Sequence, residues 1–123
     1  MSVRAVVPNG SQIIPGLVLE SATRVLVRVG GPALAAFGVS GTLPNPKLSV
    51  FSGANVIASN DDWSSNQSAV LDAGTKAGAF PFATGSRDAA IVLDLNAGSY
   101  TFVVTGDAGT SGEVLLEVYR VPN

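Results

Sequence analysis

The chain has 123 residues, of which 46% are hydrophobic and 13% charged, with a mean hydropathy of +0.38. That balance excludes the disordered class and points to one packed domain, 1–123, burying roughly two-thirds of its unfolded surface. Seven basic against nine acidic residues leave a net charge of -2, the wrong sign for a nucleic-acid or anionic-membrane partner, and the absence of cysteine and histidine excludes disulfides, thiolate nucleophiles, the usual zinc ligand sets and imidazole acid–base chemistry.

Alternation with period two dominates, in short blocks separated by Gly, Pro, Asn and Asp, which predicts an all-β sandwich or barrel of about eight strands. Ser2–Val7 and Gln12–Glu20 read as strands joined at Pro8-Asn9-Gly10, whose Asn-Gly supplies a hairpin turn. Pro15 makes the second strand an edge or a bulge. In Arg24–Val29 the valines 25, 27 and 29 take the core face. Pro32 starts and Gly38 stops a short helical plug. Pro46–Ser52 and Asn55–Asn60 pair around Gly53-Ala54. Gln67–Ala77 reads as a short helix capped by Asn66, with Ala69, Val70, Ala73 and Ala77 on one face. Asp88–Leu95, Ser99–Thr105 and Gly112–Val121 read as a three-stranded meander, its first hairpin closed by Asn96-Ala97-Gly98. There is no internal repeat, no linker and no apolar run long enough to span a membrane.

The succession Arg24–Leu34, Phe37–Leu43, Val56–Trp63, Gly85–Ala90, Ala97–Val104 and Gly112–Tyr119 resembles a β-sandwich module of large exported bacterial proteins and, more distantly, the bacterial pre-peptidase C-terminal domains. The likeness covers nearly the whole chain. It implies an antiparallel β-sandwich of jelly-roll type with one or two short helices and no catalytic role, serving as an accessory, adhesive or assembly module. The expected setting is extracellular, although Met1-Ser2-Val3-Arg4 lacks the basic and apolar segments of a signal peptide.

Asn60-Asp61-Asp62 is the one acidic cluster. Some pre-peptidase C-terminal domains bind calcium through Asp-rich loops, and calcium takes oxygen ligands of this type; the alternative is that these side chains bond the local backbone and shape a turn. No cofactor is required, and calcium is the one candidate. Trp63, the single tryptophan, either stacks on a sugar with Asn60 and Tyr119 nearby or folds back as a lid on the core. Tyr100 falls on the inner parity and Tyr119 on the outer. Arg87-Asp88 reads as an ion pair at a strand start. No Gly-x-Ser-x-Gly elbow, Ser-x-x-Lys pair or Gly-x-Gly-x-x-Gly loop is present, and Asp88 and Asp94 lie about 20 Å apart along a strand, too far for a glycosidase pair.

The expected function is therefore a non-catalytic structural or interaction module that packs against like domains or copies of itself. Leu26, Val92, Val103 and Leu115 fall on the outer parity and form either an exposed patch or a surface covered by the helices. The first strand, through Val3, Ala5 and Val7, offers pairing with a neighbouring sheet. A carbohydrate-binding module centred on Trp63, supported by calcium, is the alternative, with a polysaccharide as partner.

Overall fold

In a computed structural model of the chain, which describes residues 1–122, eight strands build two antiparallel sheets. They are β1 (Ser2–Val7), β2 (Gly16–Leu19), β3 (Thr23–Gly30), β4 (Lys47–Ser52), β5 (Asn55–Asn60), β6 (Ala89–Leu95), β7 (Gly98–Thr105) and β8 (Gly112–Arg120). The first sheet has the order β1-β8-β3-β6 and the second β2-β7-β4-β5. This is the jelly-roll sandwich that the resemblance implied. Two 3-10 helices, Pro32–Phe37 and Trp63–Asn66, and one α-helix, α1 (Gln67–Ala77), complete the elements.

Two sequence expectations about pairing do not hold. β1 pairs with β8, from Ser2↔Glu117 to Val7↔Gly112, while β2 pairs with β7. The Pro8-Asn9-Gly10 turn forms, with Ser11 N–H donating to Pro8 O at 3.1 Å, but it carries the chain from one sheet to the other. The meander is likewise absent, since β6 and β8 lie in the first sheet and β7 in the second. Neighbouring strands that lay side by side would put their apolar faces in one layer with nothing opposite. Crossing at each turn sets those faces against each other. The one tight hairpin among the described residues joins β4 to β5, where Gly53 takes φ 61° at the first central position of a two-residue loop.

Val27, Leu48, Phe102, Val104 and Leu116 are all essentially inaccessible between the sheets. β3 is central and buried continuously from Val25 to Gly30, because a third layer covers the outer face of the first sheet. There Leu26 and Ala90 pack with Trp63, Val70, Ala73 and Phe82. α1 has the predicted limits but a different phase: Val70, Ala73 and Gly74 face inward and Ala69 is exposed. Asn66 occupies the N-cap position without a capping bond; its Nδ2 instead donates to Ala90 O at 3.4 Å.

Each sheet edge carries a device that discourages pairing with another chain. β1 bears the exposed Arg4, β2 is four residues long and follows Pro15, and β5 is bulged opposite Val50 and Phe51. On β6, Ala90 N–H donates to Asn60 Oδ1 at 3.0 Å, so the side chains of Asn60 and Asn66 occupy the backbone groups that a further strand would use. One end of the sandwich is closed by Leu43, fully buried, whose N–H donates to Glu113 O at 3.0 Å. A Cβ at Gly31 or Gly112 would overlap the backbone of this segment.

Candidate functional site

The residues singled out in the sequence do not converge on a ligand surface. Trp63 is 1% exposed, its Nε1 donates to Ser86 Oγ at 3.1 Å, and its ring meets Phe82 edge to face at 6.2 Å. A buried indole has no free face for a sugar, so Trp63 is the lid on the core and the stacking role is excluded. The Asn60 carboxamide is engaged three times over, by Ala90 N–H, by Asp62 O at 3.1 Å and by Ser65 Oγ at 3.0 Å. The bonds to Asp62 and Ser65 shape the local turn, and the bond to Ala90 ties that turn to β6. Asp61 is exposed and Asp62 half-buried, and no three acidic side chains gather among the described residues. Tyr119 lies on the outer face, half-buried rather than open, and Tyr100 is buried with its hydroxyl donating to Asn96 O at 2.7 Å.

The outer-parity residues also part company. Leu26 is fully buried and Val92 packs against the same cluster. Val103 is half-buried on the second sheet, whereas Leu115 lines a groove on the first. In β1, Val7 belongs to the core and Val3 packs against it, while Ala5 is half-buried. All three belong to the strand's own pairing with β8.

The structure instead builds an apolar groove from residues to which the sequence assigned no ligand role. The 3-10 helix Pro32–Phe37 and the segment 80–88 bound a groove of about 540 Å³, lined by Ala33, Ala36, Phe37, Phe80, Phe82 and Asp88 among others. Pro32 suits the first helical position through its fixed φ and missing N–H. The remaining free donors are met from far along the chain: Asp88 Oδ1 accepts from Gly31 N–H at 2.8 Å and Ala33 N–H at 3.0 Å. Asp88 Oδ2 accepts from Ser86 Oγ at 2.6 Å, and Asp88 O accepts from Trp63 N–H at 2.9 Å. The expected Arg87–Asp88 ion pair does not form, because the Asp88 carboxylate is fully buried and directed at the helix, where backbone N–H groups favour an anion.

Phe37 is 63% exposed and meets Phe80 edge to face at 5.0 Å. This ridge separates the groove from a second one of about 340 Å³ lined by Leu34, Val39, Leu115 and Arg4. Beneath Phe80 and Phe82 lies Arg28, its guanidinium 4.3 and 4.4 Å from the two ring centroids. Its Nη2 pairs with Glu117 at 2.8 Å, and it also donates to Phe80 O. Tyr119 donates to the other Glu117 oxygen. Burial, reinforced by that bond to Glu117, holds the Tyr119 phenol above its ordinary pKa. Two signals for this assembly stood in the sequence: Arg28 set between Val27 and Val29 in the interior of β3, and the Phe80-Pro81-Phe82 triplet in a stretch without alternation.

No protein-family model matches the chain, and no curated protein matches it. Among solved structures it is similar to the pre-peptidase C-terminal domain of a collagenase from Bacillus anthracis. The TM-score is 0.59 at 12% identity over 96% of this chain and 87% of that one. It is also similar to PliG of Aeromonas hydrophila, a periplasmic inhibitor of g-type lysozyme, with a TM-score of 0.56 at 15% identity over 98% of this chain and 84% of that one. The fold is thus that of a β-sandwich distantly like the pre-peptidase C-terminal domains, and no helix is long and apolar enough to cross a membrane.

Proposed function

We propose that this chain is a non-catalytic interaction module of an exported protein system, docking another protein domain across the Phe37–Phe80 ridge. The observation that carries the reading is Phe37. Its ring, 63% exposed, joins two apolar grooves into one surface, and the continuity of that surface, more than the exposure of one side chain, supports docking there. Ser86 and Asp88, the polar side chains at the groove wall, are engaged with Trp63 and the 3-10 helix, so the surface presents no activated nucleophile. The two similar structures support the reading by analogy of fold: one is a domain of a larger protein, and the other is a periplasmic inhibitor acting on a protein.

The test is a photo-crosslinking residue placed at position 37 and, in a second variant, at Val18, which is exposed on the opposite sheet. In the source organism, position 37 is expected to give a discrete adduct, whether with another protein or with a second copy, that position 18 does not. Identical adducts at both positions, or none at 37, overturn the reading.

A further inference from the structure

Asn9 is the one asparagine in the chain that a glycine follows. Both residues are exposed, at the tip of the turn that closes when Ser11 N–H donates to Pro8 O at 3.1 Å. That bond leaves Gly10 N–H outside it. Gly10 takes φ 72°, and no atom beyond its chain neighbours stands within 4 Å of where its Cβ would be, so the peptide nitrogen at this position is uncrowded. Asn9 also clips two loops together. Its Oδ1 accepts from Gly109 N–H at 3.0 Å, just past Val7 and Gly112, the end of the β1–β8 register. The bond thus prolongs the attachment of β1, an edge strand with β8 as its one neighbour, into the loop that precedes β8.

From this juxtaposition we infer that Asn9 is a site of spontaneous deamidation, and that its isoaspartyl product releases the end of β1. The Gly10 peptide nitrogen, having lost its proton to base, attacks Asn9 Cγ. A C–N bond forms to close a five-membered succinimide, the Cγ–Nδ2 bond breaks, and Nδ2 leaves as ammonia with a proton taken from water. Water then opens the ring at either carbonyl, giving aspartate or isoaspartate, so that amide and water are exchanged for carboxylate and ammonia with no change of oxidation state. Glycine matters because a Cβ on the following residue crowds the attacking nitrogen, as Ala97 does after Asn96. Ring closure requires the Asn9 side chain to leave Gly109, so the clip slows the reaction without preventing it. The two products differ in consequence. Aspartate keeps an acceptor on the same stem, now charged, and holds Gly109 N–H at least as well. Isoaspartate carries the backbone through Cβ and Cγ, which lengthens the turn by one carbon and moves the acceptor away from Gly109.

The intact chain is aged in mildly alkaline buffer below its thermal midpoint and mapped by peptide mass spectrometry, with the aspartyl product identified against Asn9→Asp. Deamidation is expected at Asn9 ahead of Asn96, and Asn9→Gln, which would have to close a larger ring, should abolish it at the turn. In the isoaspartyl species the Gly109 amide is expected to exchange with deuterium about two- to tenfold faster than in the unaged chain, the factor set by one lost hydrogen bond. Asn9→Asp should exchange no faster. Conversion at Asn96 as fast as at Asn9, or a folded chain that stays intact at Asn9 while the urea-unfolded chain converts, overturns the modification site. Unchanged exchange at Gly109 in the isoaspartyl species overturns the release of β1.

Discussion

Asp88 caps a helix from 57 residues beyond its N-cap residue, its Oδ1 accepting from Gly31 N–H at 2.8 Å. The same carboxylate takes Ala33 N–H and the Ser86 hydroxyl, and the Asp88 carbonyl takes Trp63 N–H. One side chain therefore fixes the 3-10 helix against the segment that forms the other wall of the groove. Asp88→Ala leaves one buried and two part-buried donors without this acceptor and is expected to cost about 2 to 3 kcal/mol. Urea unfolding measures the loss. A value near zero would show that the helix is held by packing alone.

Arg28 and Glu117 form a pair whose side chains are 3% and 12% exposed, sandwiched between β-sheet and aromatic rings. Removing one partner strands a buried charge, so Glu117→Ala is expected to lose about 3 to 5 kcal/mol, whereas the apolar double substitution Arg28→Met with Glu117→Leu recovers most of it. Equilibrium unfolding of Arg28→Met, Glu117→Leu and their double variant forms the required cycle. An additive result would show that the pair does not act as a unit.

Two glycines should respond in opposite directions to alanine. At Gly74, inside α1, a Cβ would sit 4.0 Å from Leu26 Cδ2, an ordinary contact, and the helical propensity gained is about 1 kcal/mol. At Gly112 a Cβ would lie 2.5 Å from Thr42 C, a backbone overlap that no rotamer relieves. Gly74→Ala should raise the thermal midpoint and Gly112→Ala lower it sharply. Calorimetry reads both.

Tyr119 donates to Glu117 from a partly buried site, and burial raises its pKa above the ordinary phenol value. The folded chain thus holds this proton more tightly than the unfolded chain. The resulting stabilisation is fully present below pH ~10 and is lost as pH rises through the raised folded value. Ultraviolet titration of the folded protein should show a phenol ionising above the ordinary range, and Tyr119→Phe should remove that component. Titration of Tyr119 at the ordinary value would contradict the bond to Glu117.

Much of the secondary structure follows from local chemistry. α1 runs over Gln67–Ala77 and the 3-10 helix over Pro32–Phe37 as the spacing of small residues, Pro32 and the stopping glycines dictate, and β3 carries its valines inward as alternation requires. Periodicity distinguishes two faces of a strand but not two layers of a sandwich. The Asn96-Ala97-Gly98 connection therefore looks the same whether it closes a hairpin or crosses between sheets, and only the burial of opposing apolar faces decides. For the same reason Leu26 reads as an outward residue until α1 and Trp63 cover it.

The candidate site was the least legible part, because its bonds span long stretches of chain. Asn60 and Asn66 look like loop polar residues, yet both serve the backbone of Ala90, 30 and 24 residues away. Arg28 meets Phe80 and Phe82 only because β3 and the segment after α1 pack together. By itself the sequence determined the elements, the β class and the absence of histidine and cysteine chemistry, since these depend on residue type and near neighbours. The tertiary structure decided which layer each strand joins, that Trp63 is buried and Phe37 exposed, and where Asp88 directs its charge, since these depend on contacts between residues that only folding brings together.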